Sequence, residues 1–531
     1  MSDFICSKDA PIVETDKGKL HGFFYKGVYN FLGVRYARAR RFEMPEEIPA
    51  WEGVQDALSF GYISPILSNP RPTAEIRVTH RFWPENENCQ YLNVWTGSLD
   101  KNAKKPVIVW YHGGGFANGS SIEQVCYDGD NLVRFGDVVV VTVNHRLNVF
   151  GFLDMSAYGK KFENSQNAGL ADLVASLKWV NKNIAAFGGD PDNVTIMGQS
   201  GGGMKVTCLG QIPEAAGLFH KAVILSGVAN SSMFAGMSPS CELAEEILKV
   251  LEIKPEEAEK LQTVPTALFI RATNRALYNL SKEGKHYTWE AKANGYYLGD
   301  PAEVPFSDYY RTVPLMVNSC ISEMGRASFP KAKDDYTEEE RRAFFTEKYG
   351  KEKGDKIIEL FEKAYPGKNI LNGIDVDVMT REASYKYAQK KAAESSAPAY
   401  NGLLALVFPI DEGKGAWHCA DLPFIFHNTD KLPLYDLGEV GQKIESEMAG
   451  ALVNFARTGN PNGAGVPKWD PTTPDAVNTL VFDEVSEQRT DMDKALIDYL
   501  WEIDAVDNPF AAMGRMPMRD PDEPNEREWL Y

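Results

Sequence analysis

The chain has 531 residues, 44% of them hydrophobic and 24% charged, the balance of an ordinary globular protein able to bury a large core. Its formal net charge of −18, with no basic block to offset it, excludes nucleic acid as a partner, because a polyanion is repelled. No apolar run approaches the ~18 residues that span a membrane, and seven scattered cysteines, without C-x-x-C pairs or zinc-spaced histidines, argue against a metal site.

The N-terminal stretch MSDFICSKDAPIVETDKGKL has no basic patch followed by an apolar segment, so no signal peptide is expected. The cysteines then read as reduced thiols of a cytoplasmic protein. The first β-branched run is Pro106–Trp110, followed after Tyr111 by His112-Gly113-Gly114-Gly115-Phe116. Three glycines directly after a strand leave bare amides able to close on a carbonyl oxygen, the pattern of an oxyanion loop. A phosphate loop would need Lys-Ser or Lys-Thr after the glycines, and neither is there.

A second run, Asp137–Val143, is almost wholly apolar, as suits a strand buried on both faces. Ala171–Phe187 has apolar residues at helical spacing and stops at Gly188-Gly189. Val194–Met197 and Ala222–Leu225 are again strands, so the repeating unit is strand, helix, strand. Between these two strands lies Met197-Gly198-Gln199-Ser200-Gly201-Gly202-Gly203. A bare G-x-S-x-G arises by accident in roughly one chain in five to ten of this length. After a buried strand it fits a nucleophile elbow, where glycines flank a strained serine because a Cβ would collide with the neighbouring strand and helix.

Residues 240–300 and 331–395 are charged and helical in period, and read as insertions packed on the sheet. The strands Val313–Val317 and Leu403–Phe408 complete the series. With no linker-like stretch and no internal repeat, residues 1–531 are expected to form a single α/β domain with a mostly parallel central sheet flanked by helices.

A serine nucleophile needs a base, a group to orient that base, and donors for the oxyanion. In strand–elbow–helix hydrolases the chain order is serine, acid, histidine. Four histidines follow Ser200: His220, His286, His418 and His427. His220 comes too early to have a strand and an acid before it, and His286 precedes the next clear strand. His427 follows PFIF and reads as a structural histidine, which leaves His418, on a loop after the last strong strand. Two places offer the acid. Asp411-Glu412 sits just before His418, and Glu323 follows the preceding strand. Acid and base on loops of successive strands face each other across the elbow, which favours Glu323.

On these residues the chain resembles the type-B carboxylesterases, the cholinesterase-like branch of the α/β-hydrolase fold. The matching segments are FLGVRYA (31–37), ENCQYLNVW (87–95), YHGGGF (111–116), VNHRLNVFGFL (143–153), NAGLADLVASLKWVNKNIAAFGGDPDNVTIMGQSGGG (167–203), GAWHCADLPFIF (415–426) and NFARTGNPN (454–462). The resemblance implies Ser200 as nucleophile, Glu323 as acid and His418 as base. It also implies oxyanion amides from Gly114, Gly115 and Gly201, a serine beside the acid at Ser226, a small-molecule ester as substrate, and no cofactor or metal. The chain departs from the family in reading Gln199 for Glu, Gly201 for Ala, and Ser322-Glu323-Met324 for Asp-Glu-Gly. Gln199 removes a carboxylate that would favour cationic esters, so a cholinesterase activity is disfavoured. Extracellular relatives pair the cysteine that matches Cys89 with one about 30 residues upstream. Here that region reads GYISPILSN, which fits the expected reduced state.

Overall fold

The computed structural model describes residues 3–67, 78–228, 241–506 and 520–521. The end of the GYISPILSN segment and residue 240 of the first insertion lie outside them. Twelve strands form one sheet. In chain order they are β1 (Phe4–Ile5), β2 (Phe23–Tyr25), β3 (Val28–Arg35), β4 (Tyr91–Thr96), β5 (Lys105–Tyr111), β6 (Val139–Val143), β7 (Gly189–Gln199), β8 (Lys221–Leu225), β9 (Leu315–Cys320), β10 (Ala399–Leu404), β11 (Asn478–Phe482) and β12 (Glu487–Thr490). Their spatial order is β1-β2-β3-β4-β6-β5-β7-β8-β9-β10-β11-β12. From β6 to β11 every neighbouring pair is parallel, and the two edges are antiparallel. The architecture is the α/β-hydrolase fold.

Parallel neighbours need a crossover between them, and helices covering both faces bury the strands completely. That is why β5, β6 and β8 are buried at every residue and read as near-continuous apolar runs. Two large apolar clusters lie on the two faces of the sheet. A third gathers Phe42, Phe150 and Phe269 under the insertion helices Cys241–Val250 and Thr266–Lys282. In the second insertion Thr337 caps helix Glu338–Tyr349 reciprocally with Glu340. The last helix there, Met379–Glu394, packs on β9 and β10 and is the crossover joining them.

One strand is displaced from its sequence reading. The apolar run Leu403–Phe408 pointed to a strand there, yet β10 is Ala399–Leu404, and Val407–Phe408 belongs to a separate hairpin with Lys414–Gly415. Asn401 and Gly402 interrupt the apolar pattern. Asn401 is nonetheless fully buried, because its carbonyl oxygen accepts from Arg381 at 2.6 Å and Thr479 at 2.8 Å.

Two residues of the long matching segments have a structural role. Arg146, just after β6, is buried and donates to both oxygens of Asp172 in helix Ala168–Asn183, at 2.9 Å and 2.7 Å. Its remaining nitrogen reaches the carbonyls of Arg40 and Glu43. Removing one partner strands a buried charge. Asp172→Ala is therefore expected to cost about 3–5 kcal/mol of stability, read from urea unfolding beside the native protein. A loss below about 1 kcal/mol would contradict the role given to this pair.

Candidate active site

The site assembles at the carboxyl ends of the parallel strands, where loops converge in sheets of this kind. Ser200 stands between the end of β7 and helix Gly201–Leu209, with φ 54° and ψ −126°. Its amide continues the ladder by donating to Leu225 O at 2.8 Å. The glycines answer to close approach. A Cβ on Gly198 would stand 2.3 Å from Gly202 C, and one on Gly202 only 2.0 Å from Tyr111 O. Real Cβ contacts are not that short, so strand and helix meet here only through glycine.

The loop after β5 lies across this elbow. Gly114 and Gly115 both have positive φ, 85° and 63°. A Cβ on Gly201 would fall 2.3 Å from Gly115 Cα, so an alanine does not fit this approach. In a trans peptide the carbonyl and the next N–H point in opposite directions. Each carbonyl that is held thus aims the following amide. Gly113 O accepts from His112 Nδ1 at 2.9 Å, which orients the Gly114 amide. Gly114 O accepts from the amides of Ala117 and Asn118, which orients that of Gly115. Burial keeps His112 well below the ordinary histidine pKa, so its ring is neutral with the proton on Nδ1.

Glu323 lies three residues beyond β9, its side chain completely buried. Its Oε2 is 2.6 Å from His418 Nδ1, and its Oε1 accepts from Ser226 Oγ at 2.6 Å and from the Cys320 amide at 2.7 Å. The His418 amide donates to Glu323 O at 2.8 Å, so the backbone as well as the side chain ties the two loops. Burial lowers the His418 pKa, but the Glu323 hydrogen bond and charge outweigh it, and the net direction is up. The competing acids point elsewhere: Asp411 and Glu412 are exposed, at positive φ. His220 Nδ1 accepts from the Val194 amide, and His427 stacks on Phe135 with centroids 4.3 Å apart.

His418 Nε2 is met by the side-chain amide of buried Gln199, at 3.1 Å. With Nδ1–H donated to Glu323, Nε2 carries the lone pair and the amide donates to it. Gln199 therefore occupies the one free acceptor position of the ring.

Two groups escaped the sequence reading. Asp421, three residues after His418, is 1% exposed, and neither oxygen has a hydrogen-bond partner outside its own residue among those described. Burial, with the Glu323 charge adding to it, pushes its carboxyl up to about 7. The other is Lys205, buried in the helix that begins at the elbow. Both carried a signal in the sequence, a charged residue inside an apolar stretch.

The sequence matches the model of the carboxylesterase family over residues 9–498. It is 31% identical to the para-nitrobenzyl esterase of Bacillus subtilis (strain 168) over 491 residues, 89% of this chain and 94% of that one. It is likewise 31% identical to phenmedipham hydrolase of Pseudarthrobacter oxydans, over 91% of this chain and 97% of that one. Among solved structures, an esterase from anaerobic Clostridium hathewayi that can hydrolyze aliphatic aromatic polyesters superposes with a TM-score of 0.90 at 43% identity, covering 94% of this chain and 99% of that one.

Proposed function

The chain belongs to the carboxylesterase family and is a carboxylic ester hydrolase, and from that premise we propose that it works through an acyl-enzyme on Ser200. The observation that carries this reading is the hydrogen-bonded pair His418–Glu323 beside a strained, glycine-flanked serine. Ser200 Oγ attacks the ester carbonyl while His418 Nε2, released from Gln199, takes its proton. Glu323 holds Nδ1–H and balances the imidazolium. The amides of Gly114, Gly115 and Gly201 receive the oxyanion. His418 then protonates the departing alcohol, and water repeats the sequence on the acyl-enzyme. Ser226 and the Cys320 amide keep the Glu323 carboxylate in place. The test is hydrolysis of p-nitrophenyl esters of rising chain length by the native protein and by Ser200→Ala, with turnover expected only from the first.

We read the substrates as small neutral esters, since Gln199 sets an uncharged amide beside the reacting groups. A polyester film containing aliphatic and aromatic units belongs in the same assay, given the likeness to the Clostridium hathewayi enzyme.

Gln199→Glu tests this directly. A carboxylate there is expected to raise kcat/KM for a choline ester over that for a neutral ester of the same acyl group by about fivefold, from ~1 kcal/mol of charge–charge attraction. It also stands 3 Å-scale close to His418 Nε2 and favours the imidazolium, whose pKa is already raised by Glu323. The base works only when neutral, so the acid limb of kcat/KM is expected to move up by about one pH unit. An unchanged limb and an unchanged ester ratio would remove Gln199 from both roles.

A further inference from the structure

Helix Gly201–Leu209 is buried at all nine positions, and one of them is a lysine, Lys205. Helical side chains lean toward the N-terminus, so Lys205, four residues after Gly201, runs back beneath the first turn. Its ammonium donates to the carbonyl of His112 at 3.0 Å. Among the described residues no carboxylate forms an ion pair with it. Its other neighbours include the Phe116 ring, with its centroid 6.0 Å away, the neutral rings of His112 and His145, themselves 5.0 Å apart, and the Cys208 thiol, which burial keeps protonated. Neither ring nitrogen of buried His145 has a partner among the described residues.

A cation is badly placed here. It is buried, it lies toward the positive end of a helix dipole, and burial brings its pKa down to about 7. Among the described residues only the His112 carbonyl and the Phe116 ring offset that cost, and no negative charge pairs with it. In the acyl-transfer reading, however, a negative charge does form nearby, on the oxygen facing the amides of Gly114, Gly115 and Gly201. A charge without a ground-state partner that gains one as the reaction proceeds stabilises the transition state selectively. The hydrogen bond has a second consequence. Through the trans peptide, holding His112 O aims the Gly113 amide and so fixes the root of the loop, upstream of the carbonyls that His112 Nδ1 and the Ala117 and Asn118 amides hold.

We propose that Lys205 is a positioning residue for ester hydrolysis, whose ammonium anchors the oxyanion loop at the His112 carbonyl and sets a buried positive charge behind the amides that receive the oxyanion. The proposal rests on the acyl-enzyme reading given above.

Lys205→Met keeps the length without charge or donor, and Lys205→Gln keeps a donor without charge. For each, kcat and KM are measured on one p-nitrophenyl ester, with the Ki of a trifluoromethyl ketone. Such a ketone takes the Ser200 oxygen on its carbonyl carbon, the serine proton passes to His418, and the carbonyl oxygen becomes an oxyanion. Both variants are expected to lose about 10- to 100-fold in kcat, with KM within about threefold, and to bind the ketone more weakly by the same factor as kcat/KM falls. If Lys205→Met fails to fold, Lys205→Gln decides. Native kcat and Ki in Lys205→Gln overturn the role of the charge, and so the proposal, while activity still depends on Ser200. Activity that survives Ser200→Ala overturns the acyl-enzyme reading and this inference with it.

Discussion

Glu323→Gln is expected to lower kcat on a p-nitrophenyl ester by up to ~10⁴, while Glu412→Gln stays within a few-fold of the native enzyme. The amide preserves the shape of Glu323 but removes the charge that balances the imidazolium. It can also donate to Nδ1 and select the wrong tautomer. Both Glu323 oxygens are engaged, Oε2 by His418 and Oε1 by Ser226 and the Cys320 amide, so the side chain cannot turn to escape. Glu412 lies closer to His418 in sequence, but it is exposed at a turn with φ 60°, where water screens it. Circular dichroism establishes that both variants fold. A dead Glu412→Gln beside an active Glu323→Gln would reverse the assignment.

Ser200→Ala and His418→Ala are each expected to lose essentially all turnover, on the order of 10⁶ in kcat, and the double variant no more than either alone. A nucleophile and its base act on one proton, so removing the second after the first removes nothing further. His427→Ala is the control. Its ring stacks on Phe135, and its Nδ1 lies 3.7 Å from Glu445, so it should keep activity near native. Additive losses in the double variant would mean that Ser200 and His418 act in separate steps.

The sequence showed the sheet wherever burial on both faces left an unmistakable apolar run, as in β5, β6 and β8. It misplaced β10 because Asn401 is satisfied by Arg381 and Thr479, partners far along the chain that no local pattern reveals. Ser200 was legible because the elbow needs glycine at fixed offsets, and His418 and Glu323 because the order of strands fixes which loops can meet. The Gln199–His418 contact was not legible. It depends on a rotamer, and at sequence level only a missing charge marks that position. Lys205 and Asp421 were visible as charges in apolar stretches, but only three dimensions display that, among the described residues, no carboxylate pairs with Lys205 and no hydrogen-bond donor meets the Asp421 oxygens.

The central claim is a covalent intermediate on one serine. A fluorophosphonate forms a bond to an activated serine oxygen and releases fluoride, and peptide mass analysis locates it. One phosphonyl group per chain, on the peptide bearing Ser200, with activity lost in proportion and no label in Ser200→Ala, is the result expected. A label on another residue, or esterase activity that persists when Ser200 is fully modified, would contradict the account.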